Sequence, residues 1–204
     1  MGILSASTSV TRYRVSGALE KPVLEAVFQG LGRYVIREMD EDQWEVSEGW
    51  TSFENPYLPD FEGSSFVIGP FLVFSLRVDK KSIPAKIVRK DCAVEMAGRL
   101  KKNGRQYLSR SEKNAIKEQV TDLLVRRIPA TPNSYDVIWH PEQSRLWFFS
   151  NLKRANEALE NLFFKSFNLR LIRLFPFTLA DLAADLSDPD RDRLITLSPT
   201  NFSE

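Results

Sequence analysis

The 204-residue sequence contains one cysteine, one histidine and no long hydrophobic run. A single cysteine, Cys92, can form neither an intrachain disulfide nor a cysteine-based metal site. A single histidine, His140, cannot assemble a histidine-based zinc site, and no nucleophile motif surrounds it. The longest apolar stretch, Phe66–Phe74, is broken by Gly69 and Pro70 and is too short to span a bilayer. No secretory signal is evident at the N-terminus. We therefore expect a cytoplasmic protein with no membrane contact, no cofactor and no metal.

The sequence is rich in aromatic residues, with 14 Phe and 4 Trp, and 43% of its residues are hydrophobic. This composition indicates a globular chain that can bury a core, and its length fits one large domain or two small ones. No internal repeat or low-complexity tract is present.

Charge is distributed unevenly along the chain. Residues 77–130 carry 15 Lys and Arg against 6 Asp and Glu, a local net charge of +9, although the whole chain has a net charge of +1. The remaining residues include 13 basic and 21 acidic side chains, a net charge of −8. Such segregation costs self-repulsion unless a polyanion is nearby, and nucleic acid is the commonest polyanionic partner. The basic segment 77–130 therefore predicts contact with DNA.

Hydrophobic periodicity predicts a two-layer α+β fold of mixed strands and helices, with a basic helical pair between two strand groups. Before the basic segment we predict strands at 11–15, 43–47 and 66–78, a helix at 21–31 and an ordered loop at 51–65. After it we predict a hairpin of 135–140 and 145–150, a helix at 153–167, a strand at 169–175 and a short helix beyond Thr178. Residues 1–185 form the α+β region, and 186–204 form a polar C-terminal tail.

The basic segment contains two predicted amphipathic helices. The first has Pro84 in its opening turn and stops at Asn103 and Gly104. The second begins with a capping box, in which the Ser109 hydroxyl and the Glu112 carboxylate each satisfy a free backbone N–H group. The predicted apolar faces consist of Val88, Cys92, Met96 and Leu100 in the first helix and Ile116, Val120, Leu123 and Leu124 in the second.

The order of motifs around these helices resembles the RdgC family of recombination-associated proteins. Leu76–Lys90 is similar to the family's strand-to-helix signature, which contains a K-x-(I/L)-P element. The later segments continue the resemblance in register, and the likeness covers roughly residues 11–185. These segments are Ser109–Val120, Leu123–Arg127, Asp136–Ser150, Lys153–Leu162 and Leu171–Leu179, and Gly49-Trp50 matches a Gly-Trp pair in the family's N-terminal part.

The resemblance implies a bacterial, nucleoid-associated protein that binds duplex DNA without base-sequence preference and restrains RecA-driven recombination. It also implies a homodimer, because family members form a dimeric ring whose basic inner surface surrounds DNA. The sequence departs from the family in three places. Pro129 occupies a position that is aromatic in the family, and the N-terminal aromatic motif of many members is absent. The family's C-terminal third has no counterpart up to Glu204, which leaves ring closure by the family's route open.

Two alternatives stay open beside this expectation. Asp40, Glu41 and Asp42 are clustered carboxylates, the ligands that Mg²⁺ prefers, and they suit a metal-dependent DNA exonuclease. Because they are contiguous and have no Lys or His nearby, an acidic turn is the favoured interpretation. The third reading is a protein-interaction module whose basic face binds an acidic partner.

The favoured hypothesis is a non-enzymatic protein that binds duplex DNA independently of sequence and occludes it from recombinase, with no catalytic or metal-binding residues. Phosphate contact by basic side chains needs no base readout. The candidates for this contact are Lys80, Lys81, Lys86, Arg89, Lys90, Lys101, Lys102, Lys113, Lys117 and Arg127.

Overall fold

The computed structural model describes residues 2–39, 46–183 and 186–198, except for the side chains of Ser64 and Ala183. The chain divides into two compact units. The first unit consists of residues 1–35, 50–76 and 135–204, and the second of residues 36–49 and 77–134. The basic segment 77–130 therefore lies entirely in the second unit.

The described residues combine helices with antiparallel strand pairs, which confirms the predicted α+β fold class. The two basic helices, Ala85–Asn103 and Arg110–Arg127, lie in the chain between two groups of strands, as predicted. None of the helices in the described ranges is long and apolar enough to cross a membrane. In chain order the elements are β1 (Thr11–Ser16), α1 (Val23–Arg33), β2 (Ser47–Thr51), a 3-10 turn (Glu62–Ser64), β3 (Val67–Ile68), β4 (Phe71–Lys80), α2 (Ala85–Asn103), α3 (Arg110–Arg127), β5 (Thr131–His140), β6 (Arg145–Phe148), α4 (Lys153–Phe167), β7 (Arg170–Arg173), α5 (Pro176–Ala183) and α6 (Asp188–Thr196).

The strands pair in the order β2-β4-β5-β6-β1-β7, and the short β3 also pairs with β4. In the first unit β1 lies between two antiparallel neighbours, with Tyr13 opposite Leu146 of β6 and Arg173 of β7. Strands β5 and β6 form the predicted hairpin, in which Val137 is opposite Phe148. The alternation of buried and exposed residues along β1 places Tyr13 and Val15 on its buried face.

Aromatic residues form the centre of the first unit's core. Trp50 packs edge-on against Phe74 with ring centroids 5.1 Å apart, and its indole N–H donates to the Ser166 hydroxyl at 2.7 Å. Trp139 contacts Phe163 with centroids 4.9 Å apart. These four ring side chains are almost fully buried, and burial of each aromatic ring contributes about 1.5–3 kcal/mol.

The second unit has a separate apolar core between α2 and α3, composed of Cys92, Leu108, Ile116, Val120 and Leu124. The other residues predicted for the first helix's apolar face, Val88, Met96 and Leu100, pack against it.

The predicted apolar face of the second helix is wrong at one residue. Leu123 is 49% exposed, whereas Val125 is 1% exposed and takes a place in the interior. At about 100° per residue, Leu123 lies beside the Ile116-Val120-Leu124 row, whereas Val125 lies on the opposite side of the helix from Ile116. The sequence spacing therefore favoured Leu123, and the burial of Val125 shows that α3 is covered on a second side.

Three predicted segments differ from the structure. The single strand predicted at 66–78 is divided, because Gly69 has a positive φ of 60° and begins a turn with Pro70 between β3 and β4. Residues 43–45 of the strand predicted at 43–47 lie outside the described residues, and β2 instead runs from Ser47 to Thr51. Helix α6 forms within residues 186–204, where the sequence predicted a polar tail and no helix.

Candidate nucleic-acid interface

All ten residues predicted to contact phosphates lie in the second unit. Lys80 ends β4, Lys81 follows it, and Arg127 ends α3. All ten candidates are exposed except Lys81, which is half-buried. The remaining candidates are Lys86, Arg89, Lys90, Lys101 and Lys102 on α2 and Lys113 and Lys117 on α3.

Helix α2 collects several of these cations on one side. At about 100° per residue, Lys86, Lys90 and Lys101 lie within roughly 60° of one another around the helix, and Arg89 lies next to them. With a rise of about 1.5 Å per residue, Lys86 and Lys101 are roughly 22 Å apart along the axis. This span corresponds to about six base pairs of B-DNA, at 3.4 Å for each step of a strand. Lys102 projects toward the opposite side of α2 and does not join this row.

Ion pairing divides the basic residues of the segment into two groups. Three arginines that the sequence analysis did not select are paired: Arg77 with Asp79, Arg99 with Glu95 and Arg105 with Glu112. Nine of the ten candidate residues differ. Within the described ranges, no ion pair is formed by Lys80, Lys86, Arg89, Lys90, Lys101, Lys102, Lys113, Lys117 or Arg127.

A buried ion pair fixes the end of β4 just before Lys80 and Lys81. The Arg77 guanidinium donates from Nε to Asp79 Oδ1 at 2.8 Å and from Nη2 to Oδ2 at 2.6 Å. Their side chains are only 10% and 4% exposed. Residues i and i+2 of a strand lie on the same face, so the spacing of Arg77 and Asp79 was a signal for this pair that the sequence analysis missed.

The predicted capping box fixes the start of α3. The Glu112 N–H group donates to the Ser109 hydroxyl at 3.2 Å, and the Ser109 N–H group donates to the Glu112 carboxylate at 2.8 Å. This backbone hydrogen bond from Ser109 is the main reason that the pKa of Glu112 is lowered. Glu112 is also paired with Arg105 at 3.2 Å, so its charge is already engaged at the helix start. The cap thereby orients the first turns of α3, which carry Lys113 and Lys117.

Two cavities in the second unit bring candidate residues together. One, of about 410 Å³, is lined by a mixture of cations and carboxylates, including Arg127, Lys81 and Glu38. Pro129, at the position that is aromatic in the resemblance, also lines this cavity. The other is a groove of about 500 Å³ along α2 and α3, which brings Lys81, Arg89 and Lys117 together.

The carboxylates considered for a nuclease site, Asp40, Glu41 and Asp42, lie outside the described residues. Among residues 2–39, 46–183 and 186–198, no group of three or more His, Cys, Asp and Glu side chains has the arrangement of a metal site. The described geometry therefore offers exposed cations at this surface, and three of the six carboxylates of the basic segment, Asp79, Glu95 and Glu112, are engaged with arginines.

One protein family matches most of the chain, including this surface. A family model described as "RdgC: Putative exonuclease, RdgC" matches residues 9–183, which include the whole basic segment and all ten candidate residues. No curated protein matches the chain.

Proposed function

The chain belongs to the RdgC family, and from this premise we propose that it is a non-enzymatic protein that binds duplex DNA independently of base sequence. The exposed cations of α2 and α3 contact the phosphates. By covering the duplex, the protein limits the access of recombinase to DNA. In the cell it acts on the nucleoid as a homodimer or a larger assembly, as the resemblance implies.

The observation that carries this proposal is the contrast between paired and unpaired cations in the second unit. Arg77, Arg99 and Arg105 are engaged by carboxylates. The candidate cations on α2 and α3 form no ion pair with any described residue, and these are Lys86, Arg89, Lys90, Lys101, Lys102, Lys113, Lys117 and Arg127. Unpaired like charges repel one another, and a polyanion removes that cost. Phosphate contacts of this kind fix a protein on the duplex but carry no direct sequence information.

The test is a charge reversal on the exposed row of α2. The double variant Lys86→Glu and Lys90→Glu changes two exposed side chains without breaking an ion pair of the described residues. We expect at least about tenfold weaker binding to two labelled duplexes of unrelated sequence, because each lost phosphate contact forfeits counterion release. Fluorescence anisotropy measures the dissociation constants, and circular dichroism verifies the fold.

The control variant makes the same change of charge in the first unit. Lys153→Glu and Arg154→Glu alter two exposed residues in the first turn of α4. We expect this variant to retain binding within about threefold, since its positions are outside the candidate surface. An equal loss in both variants would mean that only the total charge matters, and it would remove the assignment to α2.

Exonuclease activity, which the family description names, is the second candidate function. The same duplexes, labelled at their ends and incubated with Mg²⁺, distinguish it from binding alone. Our proposal expects the duplex to keep its length. Shortening that Asp40→Ala abolishes would replace the proposal with the enzymatic reading.

A further inference from the structure

The groove along α2 and α3 combines an apolar lining with cations, which sets it apart from the rest of the basic surface. Its volume is about 500 Å³. Ile83, Ala85, Val88 and Val125 provide apolar lining, and Val125 is almost fully buried. Arg89 and Lys117 line the same groove and are exposed, so they form its rim.

Duplex DNA does not account for the apolar part of this groove. Phosphates interact with cations and gain nothing from an aliphatic surface. Unstacked bases bind by stacking on aromatic side chains, and none of the described residues that line the groove is aromatic. The apolar lining therefore favours a ligand that inserts an aliphatic or aromatic group.

The polar groups of the groove define the rest of that ligand. Thr121 lines the groove, but its hydroxyl already donates to the Lys117 carbonyl at 2.6 Å. Arg89 and Lys117 form no ion pair within the part of the chain that the structure describes. The complementary ligand thus carries negative charge beside its apolar group.

We propose that this groove binds a short segment of a partner protein, in which a bulky apolar side chain is flanked by carboxylates. Binding by apolar anchors in a groove, with charges at the edge, is a common mode of peptide recognition. The rim residues Arg89 and Lys117 are also candidates for phosphate contact. Peptide and duplex consequently compete for them, and a partner protein of this kind displaces the DNA.

The experiment uses the full chain without DNA, so its outcome is independent of the proposed DNA binding. The probe is a labelled synthetic peptide in which Leu-Phe is flanked on both sides by runs of Asp and Glu. The control peptide has Ser-Ser in place of Leu-Phe and the same charge. We expect the Leu-Phe peptide to bind at least about tenfold more tightly by fluorescence anisotropy, because burial of its apolar side chains in the groove is favourable.

A pair of variants locates the binding. Ala85→Glu places a carboxylate in the groove at the first residue of α2, where a negative charge suits the helix dipole and folding is retained. Ala93→Glu makes the same change at an exposed position of α2 that does not line the groove. We expect Ala85→Glu to weaken the Leu-Phe peptide by about tenfold or more and Ala93→Glu by less than about threefold.

Two results would overturn the inference. Equal binding of the two peptides, or equal losses in the two variants, would reduce the interaction to general charge attraction. If Ala85→Glu weakened the binding of a single-stranded oligothymidine but not the binding of the Leu-Phe peptide, the groove would be assigned to bases instead.

Discussion

At the scale of single residues, the buried Arg77–Asp79 pair holds the end of β4 in place beside the basic surface. Its two hydrogen bonds join side chains that are almost excluded from solvent, immediately before Lys80 and Lys81. A buried ion pair gives little net stability over an apolar pair, but removal of one partner is costly because it leaves a buried charge. The pair therefore makes the end of β4 sensitive to substitution.

We expect Asp79→Ala to lower the free energy of unfolding by about 3 kcal/mol, since the buried Arg77 guanidinium loses the Asp79 carboxylate. The matched control is Asp122→Ala at an exposed position of α3, which we expect to change stability by no more than about 0.5 kcal/mol. Urea denaturation of both variants measures the difference. Similar small changes in both would show that the buried pair is dispensable.

Tyr13 is a second residue whose surroundings determine its chemistry. Its hydroxyl oxygen lies 2.5 Å from Asn156 Oδ1 and 2.9 Å from Glu160 Oε1. Burial is the main cause that raises the pKa of Tyr13 above its usual value, and the hydrogen bond to Glu160 adds to it. The folded state therefore holds the Tyr13 proton more tightly than the unfolded chain does.

This difference predicts a loss of stability in alkali. The contribution of Tyr13 is complete below the pKa of an unfolded tyrosine, about 10, and falls as the pH rises above it. We expect Tyr13→Phe to be less stable than the wild type at neutral pH but to lose less stability above pH 10. Tyr107→Phe, at an 81% exposed position, is the control and should keep the wild-type slope. Thermal denaturation as a function of pH measures both; an unchanged slope in Tyr13→Phe would contradict the assignment.

At the scale of elements, a glycine sets the distance between α1 and α4. A Cβ atom at Gly30 would collide with the Phe167 ring and would lie 2.9 Å from the Ser166 carbonyl oxygen. At Gly32, on the same helix, a Cβ atom would meet nothing within 4 Å. These two glycines, two residues apart on the same helix, thus have different structural roles.

The two positions form a matched pair for mutation. We expect Gly30→Ala to destabilise the protein by about 1–3 kcal/mol, because an added methyl group forces the packed elements apart. We expect Gly32→Ala to stabilise it by about 0.5–1 kcal/mol, because alanine is the better helix former. Denaturant titration of each variant checks the signs. A stabilising Gly30→Ala would mean that α1 and α4 adjust to the extra atom without cost.

The elements also show which features a sequence can predict. The capping box at Ser109 and the end of α2 at Gly104, which has a φ of 62°, depend on neighbouring residues and were predicted. Helical spacing favoured Leu123 for the interior, but Val125 is buried instead, because burial depends on what packs against each side of α3. Strand β2 continues to Thr51, and β5 begins at Thr131 and not at residue 135 as predicted. The length of a strand depends on its pairing with segments that are distant in the chain, which the sequence pattern does not show.

At the scale of the whole molecule, the sequence predicted a basic region by its charge but not which cations would be neutralised. The pair of Arg99 with Glu95 follows from i,i+4 spacing on a helix, and such a local pair is predictable. Arg99 also donates to Gln119 of α3, and Arg105 reaches Glu112 in the next helix. These contacts require the packing of α2 against α3. Sequence alone therefore did not predict that Arg99 and Arg105 would make them.

The division into paired and unpaired cations leads to a prediction about salt. For duplex DNA, the plot of log Kobs against log salt has a negative slope, and the magnitude of that slope increases by about 0.9 for each phosphate contact. Lys113→Gln with Lys117→Gln removes two unpaired cations, and we expect it to reduce the slope by up to about 1.8. Arg99→Gln with Arg105→Gln removes the same charge from paired residues, and we expect a smaller reduction, because these arginines already have carboxylate partners. Anisotropy titrations at several salt concentrations give both slopes. Equal reductions would mean that the ion pairs open when DNA binds, and the contact surface would then include the arginines.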